Sequence, residues 1–493
     1  SASRRKGWTL GIVSVALFMG VLDNLVVSVA LPTIHRDLGA SIQSLEWTVN
    51  AYTLTFAVLL LTGAALGERF GRRRMLVIGL VIFTAGSAAA ALAPTADWLI
   101  AFRAIQGAGA AIVTPLTLTL LSAAVPVERR GMALGIWGAV AGLAIATGPV
   151  VGGAVVQGWS WQTIFWLNVP LGLLLIPMAR LRVVESHGPS TRLDLPGVGL
   201  ASAGLFGIVL GLVRGNSLGW SSTYVVTALT AGAALVVAFV VWEALSPRLG
   251  SPSWGAWEPM LPMRLFRSRG FSATNLASVL MFFGMFGSIF LLAQFLQTVQ
   301  HYSPLSAGLR TLPWTGMPIV VSPIAGIVAD RIGGRRVVLT GLLLQATGLA
   351  WLAVVSAPTV AYSSLVPAFI VSGIGMAMFF APVATMVLGT VSRAEEGIAS
   401  GATNALRELG GVFGIAVLAS VFAAHGGYAS GQAFVDGLRP AVAVGAAGVF
   451  LAAIAVFAVP RSQAGSATTA SVEPPDEAGA EPYPAVGEPV LSA

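Results

Sequence analysis

Long stretches without a single charged side chain constrain this chain more than any motif in it. Residues 131–179, 337–392 and 409–435 contain no Asp, Glu, Lys or Arg. A helix of about 20 apolar residues is what crosses the roughly 30 Å of bilayer hydrocarbon, and an irregular or open-sheet backbone there would leave its N–H and C=O groups unsatisfied. Only 10% of the 493 residues are charged, against about a quarter in soluble globular proteins, which excludes an ordinary soluble enzyme. Cysteine is absent, removing disulfides, thiol nucleophiles and Cys-ligated metals. The four histidines, His35, His187, His301 and His425, form no ligand-spaced pair. No Walker loop or dinucleotide fingerprint occurs either, so neither a metal nor an organic cofactor is expected.

Cutting the chain at charges and turn residues predicts fourteen spans, near 8–31, 45–66, 75–93, 98–121, 131–156, 164–181, 195–213, 223–242, 271–296, 305–329, 337–356, 362–388, 397–424 and 440–459. The expected fold is an all-α integral membrane protein. Arg4, Arg5 and Lys6 stand before the first span like a signal-peptide n-region, but no A-x-A site closes it, so it reads as a retained helix. A net charge of +7 would suggest nucleic acid in a soluble chain. Here 21 of the 27 basic residues fall at the amino terminus, in the even-to-odd loops and in the tail. Only Arg36, Arg214 and Arg439 fall on the other side, and Arg103, Arg310 and Arg407 lie within spans. By the positive-inside rule both termini are cytoplasmic and no nucleic-acid partner is expected. From Ser462 onward the chain is Pro-, Ala- and Glu-rich, the composition of a disordered tail.

One pattern occurs twice. Glu68-Arg69-Phe70-Gly71-Arg72-Arg73-Arg74 follows the second span and Asp330-Arg331-Ile332-Gly333-Gly334-Arg335-Arg336 follows the tenth. A repeat of six spans would place the second copy after span 8, so the displacement marks two extra helices between two six-helix halves, a transporter architecture. The expected divisions are 1–181 and 246–461 for the halves, 182–245 for the inserted pair and 462–493 for the tail.

Four further motifs lie in order along the chain: Leu22-Asp23-Asn24 with Val29-Ala30-Leu31-Pro32, residues 64–74, Arg103-Ala104-Ile105-Gln106-Gly107, and Gly148-Pro149-Val150-Val151-Gly152-Gly153. With Asn404 and Arg407-Glu408-Leu409-Gly410-Gly411 in span 13, they make the chain resemble the fourteen-span drug:proton antiporters of the major facilitator superfamily. Glu68 stands where that family usually has Asp, and Ala64 where it usually has Gly. The resemblance implies a multi-pass monomer of the bacterial cytoplasmic membrane that exchanges protons for lipophilic small molecules. It also implies a cytoplasmic latch in Glu68, Arg69, Gly71, Arg72, Asp330, Arg331 and Gly333, and an antiporter motif in Gly148, Pro149, Gly152 and Gly153.

The residues themselves point the same way. Asp23 lies about 22 Å along a helix from Trp8, and Arg103, entering from the other side, reaches a similar depth. Intramembrane charges are costly and usually mark interior sites; here the choice is between a pinning ion pair and a proton site formed by Asp23 with Arg103. Glu408, with Arg407 beside it in sequence, falls near the midplane as a second proton or cation candidate. Glu46 reads as a solvated acid at the outer end of span 2. Phe282, Phe286 and Phe290 recur every four residues, as packing or as the wall of a drug pocket. Asn24, Asn50, Tyr52, Gln294, Gln297 and Asn404 are the remaining cavity-lining candidates. The expected function is proton-coupled export of lipophilic drugs, with a mild preference for cations. The alternatives are a dedicated exporter of one endogenous antibiotic or lipid, an uptake symporter, or a membrane protein without transport activity.

Overall fold

The structure, a computed structural model, describes residues 2–124, 130–187, 194–249, 259, 261–391 and 396–459. The expected tail lies outside them. Helices α1 (Ala2–Leu38), α2 (Ile42–Phe70), α3 (Arg72–Ala91), α4 (Ala96–Ala124) and α5 (Arg130–Gly158) are followed by a short α6 (Thr163–Trp166), α7 (Asn168–Arg182), α8 (Leu195–Leu218) and α9 (Thr223–Leu249). Then come α10 (Arg269–Gln294), α11 (Pro304–Thr315), α12 (Met317–Ile332), α13 (Gly334–Val355), α14 (Tyr362–Leu388), α15 (Glu396–His425) and α16 (Gly431–Val456). No strand occurs among the described residues.

Among the described residues, twelve helical segments are long and apolar enough to cross a membrane, thirteen when the bent α2 pair Ile42–Leu60 and Thr62–Phe70 counts as one span. Two of them are broken: α6 with α7 make Thr163–Arg182, and α11 with α12 make Pro304–Ala329, interrupted at Gly316 before Pro318. A proline has no N–H to give to the preceding turn. Thirteen falls one short of the fourteen expected. The expected fifth span coincides with α5, a 29-residue helix several of whose side chains lie outside the described residues.

Side chains stop and start these helices. Ser41 accepts the backbone N–H of Ser44 at 3.2 Å, Asp194 that of Gly197 at 2.9 Å and Ser430 that of Ala433 at 3.1 Å, each satisfying a first-turn donor. Gly71 and Gly333, the glycines of the repeated turn, have φ of 103° and 91°. L side chains rarely adopt that backbone, which is why the turn keeps Gly in both copies.

Helices α1 to α7 pack on one another and α10 to α16 do the same. The two sets meet along α2 against α15 and along α5 against α11, while α8 packs on α9, α2 and α15. Glu185, just beyond α7, accepts the N–H groups of Arg73 and Arg74 at 2.8 and 3.2 Å, placing the end of α7 beside the α2–α3 turn. That face, where α1 also begins, is called here the terminal face. On the opposite face Gln297 donates to the Val29 carbonyl at 2.8 Å, and Leu305 N–H donates to Gln157 at 3.3 Å. Both hydrogen bonds join the first helix set to the second.

Candidate functional site

Asp23 and Arg103, placed at matching depths by sequence, meet in the first helix set at 2.6 Å with both side chains fully buried. The Asp23 carboxylate is surrounded by donors: Arg103 Nη1 binds Oδ2, while Gln106 Nε2 at 2.8 Å and Asn168 Nδ2 at 2.7 Å bind Oδ1. Ser87 receives the same two amides at 3.0 Å and donates to the Phe165 carbonyl. Arg103 Nε donates to the Thr48 carbonyl at 3.1 Å, and its guanidinium lies 4.2 Å from the Tyr52 ring centroid. Four helices, α1, α3, α4 and α7, thus converge on one carboxylate. Gln106 belongs to the Arg103–Gly107 motif, but nothing in the sequence singles out Ser87 or Asn168, since a lone amide just after a span's start gives no periodic signal.

Between the two helix sets lies a cavity of about 970 Å³. Its walls are apolar and aromatic, with Phe56 from α2, Phe282, Met285 and Phe286 from α10, Trp314 from α11 and Phe380 from α14. Polar groups are spread over several helices, among them Asn24 and Ser28 from α1, Tyr52 from α2, Thr311 and Thr315 from α11, and Asn404, Arg407 and Glu408 from α15. Asp23 points about 100° away from Asn24 around α1, toward α4, and does not line the cavity. Tyr52 forms the partition, its ring stacked on Arg103 and its hydroxyl donating to the Gly20 carbonyl at 3.3 Å. Arg407 and Glu408 are therefore the cavity's charged lining residues. Among the described residues neither is in an ion pair. The Nε and Nη2 of Arg407 have no hydrogen-bond partner, and its guanidinium sits 5.8 Å from Phe282 and 6.0 Å from Phe379.

The other cavity candidates divide by helical phase. Phe282 and Phe286 stack at 5.7 Å and line the cavity, whereas Phe290 is buried in the second set. Asn50 is wholly buried in α2. Gln294 bonds to the Phe290 carbonyl and the Tyr428 hydroxyl, and Gln297 bonds to Val29 across the seam. These three lie outside the lining. Glu46 is not solvated as expected: it is only 2% exposed, because the first turns of α2 are enclosed by neighbouring helices.

In the α5 motif, a Cβ on Gly148 would lie 2.8 Å from Leu25, and one on Gly152 would lie 3.0 Å from Val26, so both glycines seat α1. A Cβ on Gly153 would lie 2.3 Å from the Pro304 carbonyl oxygen, across the seam in α11. Reciprocally, one on Gly308 would lie 2.1 Å from the Pro149 oxygen. At the terminal face Glu68 pairs with Arg72 of its own turn at 2.7 Å, and Arg73 with Glu185 at 3.5 Å. Glu185 also fills the space beside Gly71, where a Cβ would meet its carboxyl at 2.9 Å. Arg69 lies over Phe70. Arg331 is exposed, and the side chain of Asp330 lies outside the described residues.

The Major Facilitator Superfamily profile matches residues 13–197, 195–414 and 276–490. The multidrug resistance protein Stp of Mycobacterium tuberculosis (strain CDC 1551 / Oshkosh) is 35% identical over 418 residues, covering 84% of this chain and 76% of that protein. The tetracenomycin C resistance and export protein of Streptomyces glaucescens is 34% identical over 431 residues, covering 87% and 78%. Among solved structures, a peptide transporter POT in complex with sulfate superimposes with a TM-score of 0.65 at 14% identity, over 92% of this chain and 94% of that one. The last likeness is one of fold alone.

Proposed function

The chain belongs to the Major Facilitator Superfamily, and from that premise we propose that it is a proton-coupled antiporter exporting lipophilic drugs by alternating access. The observation that carries this reading is the cavity itself. It lies between two helix sets that Gln297 and Leu305 tie together on the opposite face, has aromatic walls and presents Glu408 and Arg407, neither of them in an ion pair among the described residues. We place it in the bacterial cytoplasmic membrane with the terminal face cytoplasmic, since that face carries the Arg-rich turns. The conformation is then closed outward, with the cavity reached from the cytoplasm through Leu60, Pro323 and Ala384. In it Glu68 remains on its own turn, as a latch acting only in the other state would.

Export follows from competition at one site. With Glu408 ionised, the cavity holds one negative and one positive group and carries no strong net field. A flat or bulky apolar molecule is held by Phe282, Phe286, Met285 and Trp314, surfaces that adapt to many shapes. Proton arrival at Glu408 from outside removes its charge, leaves Arg407 alone and weakens the hold on a cation. The two halves, rocking about α2–α15 and α5–α11, deliver the cavity to each side in turn.

In proteoliposomes with an imposed pH gradient, Glu408→Gln is expected to lose gradient-driven export while retaining drug binding, because an amide exchanges no proton. Parental export by this variant would place the coupling proton elsewhere. A second reading, a dedicated exporter of one compound, is favoured by the Streptomyces glaucescens relative, whose name carries a single antibiotic. In the same assay, mutual inhibition among unrelated lipophilic compounds supports the broad pump, and its absence supports the dedicated one.

Orientation has its own check, helped by the absence of native cysteine. His187→Cys, exposed on the terminal face, is expected to resist an impermeant thiol reagent added outside whole cells, and Thr359→Cys, exposed on the opposite face, to react. The reverse pattern would invert the proposed topology.

A further inference from the structure

Glu46 takes no part in the exchange described above, yet it is 2% exposed, its Oε2 has no hydrogen-bond partner and no ion pair reaches it among the described residues. One turn along the same face of α2, Asn50 is fully buried with neither side-chain polar atom bonded. The second helix set brings Tyr428, in the loop between α15 and α16, whose hydroxyl donates to Gln294 of α10. Burial is the main reason that hydroxyl stays protonated well above the usual tyrosine range, and Glu46 lies near enough to raise it further whenever it is ionised. His35, at the end of α1, stacks on Tyr428 at 5.3 Å and donates from Nδ1 to the Ala40 carbonyl. Polar groups of both sets thus converge at the seam on the closed face.

We propose that Glu46 is a second proton-binding carboxylate, set in the outward closure, which takes its proton from the external solution and allows the two helix sets to meet only when neutral. The inference rests on the alternating-access reading and adds a site to it. A charged carboxylate removed from water with a bare oxygen is far costlier than the neutral acid, whereas parting the seam lets water reach it. Closure therefore accompanies the step in which Glu46 carboxylate plus a proton gives the carboxyl, whose O–H is a donor in a cluster where Asn50 Oδ1 has none.

No other charge on the elements packed against α2 takes over this role. From α4, Arg103 is committed to Asp23, Gln106 and Thr48, and Asp97 is exposed. From α1, Arg36 bonds to Thr33 at an exposed end and Asp37 is exposed. Arg214 of α8 and His425 of α15 are exposed, and α3 brings no titratable residue to this face. Arg407 and Glu408 of α15 line the cavity.

The test uses the full chain in lipid nanodiscs, spin-labelled at Leu92→Cys and Thr359→Cys, exposed positions in opposite-face loops of the two sets, with electron–electron distances read between about pH 5 and pH 8. In the parent, the ratio of closed to open distances should fall as pH rises, by up to about tenfold per pH unit. Glu46→Gln should stay closed, with less than about a twofold change across the range. Glu46→Asp, which keeps an acid, should follow the parent with a displaced midpoint, and Glu408→Gln should keep the response. A parental pH response in Glu46→Gln, or closure that tracks sodium concentration at fixed pH, overturns the proposal. Distances that move with neither pH nor any transported drug would sink the alternating-access reading, and this inference with it.

Discussion

Replacing Asp23 by Ala is expected to destabilise the protein by about 3–5 kcal/mol, because it strands a buried guanidinium without its counter-charge. The asymmetry of the site makes the effect large. Arg103 is 0% exposed, and the Thr48 carbonyl and the Gln106 amide oxygen are neutral acceptors that cannot balance it. Asp23→Asn should also be destabilising, by about 1–3 kcal/mol. Both carboxylate oxygens face donors, from Arg103 on one side and from Gln106 and Asn168 on the other, so either amide orientation sets an NH₂ against another donor. Thermal unfolding in detergent measures both. The double change Asp23→Ala with Arg103→Leu removes both charges and should recover part of the loss. If Asp23→Ala unfolds at the parental temperature, the pair does not pin these helices and the network has been misread.

Gly308→Val is the second change with a large expected outcome: export falls more than tenfold while the protein still inserts and folds. Its Cβ would stand 2.1 Å from the Pro149 carbonyl oxygen, and the Cβ of Gly153→Val would stand 2.3 Å from that of Pro304. Both obstacles are backbone atoms, which no rotamer change can move aside. Overpacking of this kind costs about 1–3 kcal/mol, and here the cost falls on the state in which α5 and α11 touch. A bias of that size shifts a two-state population by about 5- to 150-fold. The expected readout is a longer distance between labels on the opposite-face ends of the two sets, together with lost export. Gly148→Val and Gly152→Val meet α1 within the same set, at Leu25 and Val26, so they should lower stability without biasing the seam. Unchanged distances in Gly308→Val would show that α5–α11 contact does not define the closed state.

How far sequence alone reached can be seen residue by residue. Charge-free runs fixed the class of fold, because hydrocarbon accepts only backbones that satisfy themselves. Depth along a helix is enough to put Asp23 and Arg103 at one level, since a rise of about 1.5 Å per residue converts position into height. The repeated acid-Arg-x-Gly turn was legible for a local reason: Gly71 and Gly333 must adopt positive φ. The missed features need a neighbour that sequence does not name. Glu185 caps α3 from more than a hundred residues away, and Asn168 completes the Asp23 cage from α7. Glu46 is buried by helices packed against α2, although its place at a helix end read as solvated.

The sequence by itself determined that this chain lives in lipid, where its helices lie, which turns are basic and which charges are deep, because these follow from hydropathy, helix geometry and local backbone sterics. Only the tertiary structure decided which deep charges face a cavity. Asp23 turns toward α4 behind Tyr52, while Arg407 and Glu408 face open space. Rotation of a helix about its own axis, and the face on which two bundles touch, are set by the summed packing of surfaces distant in sequence. A run of apolar residues fixes where a helix lies along its axis and leaves that rotation free.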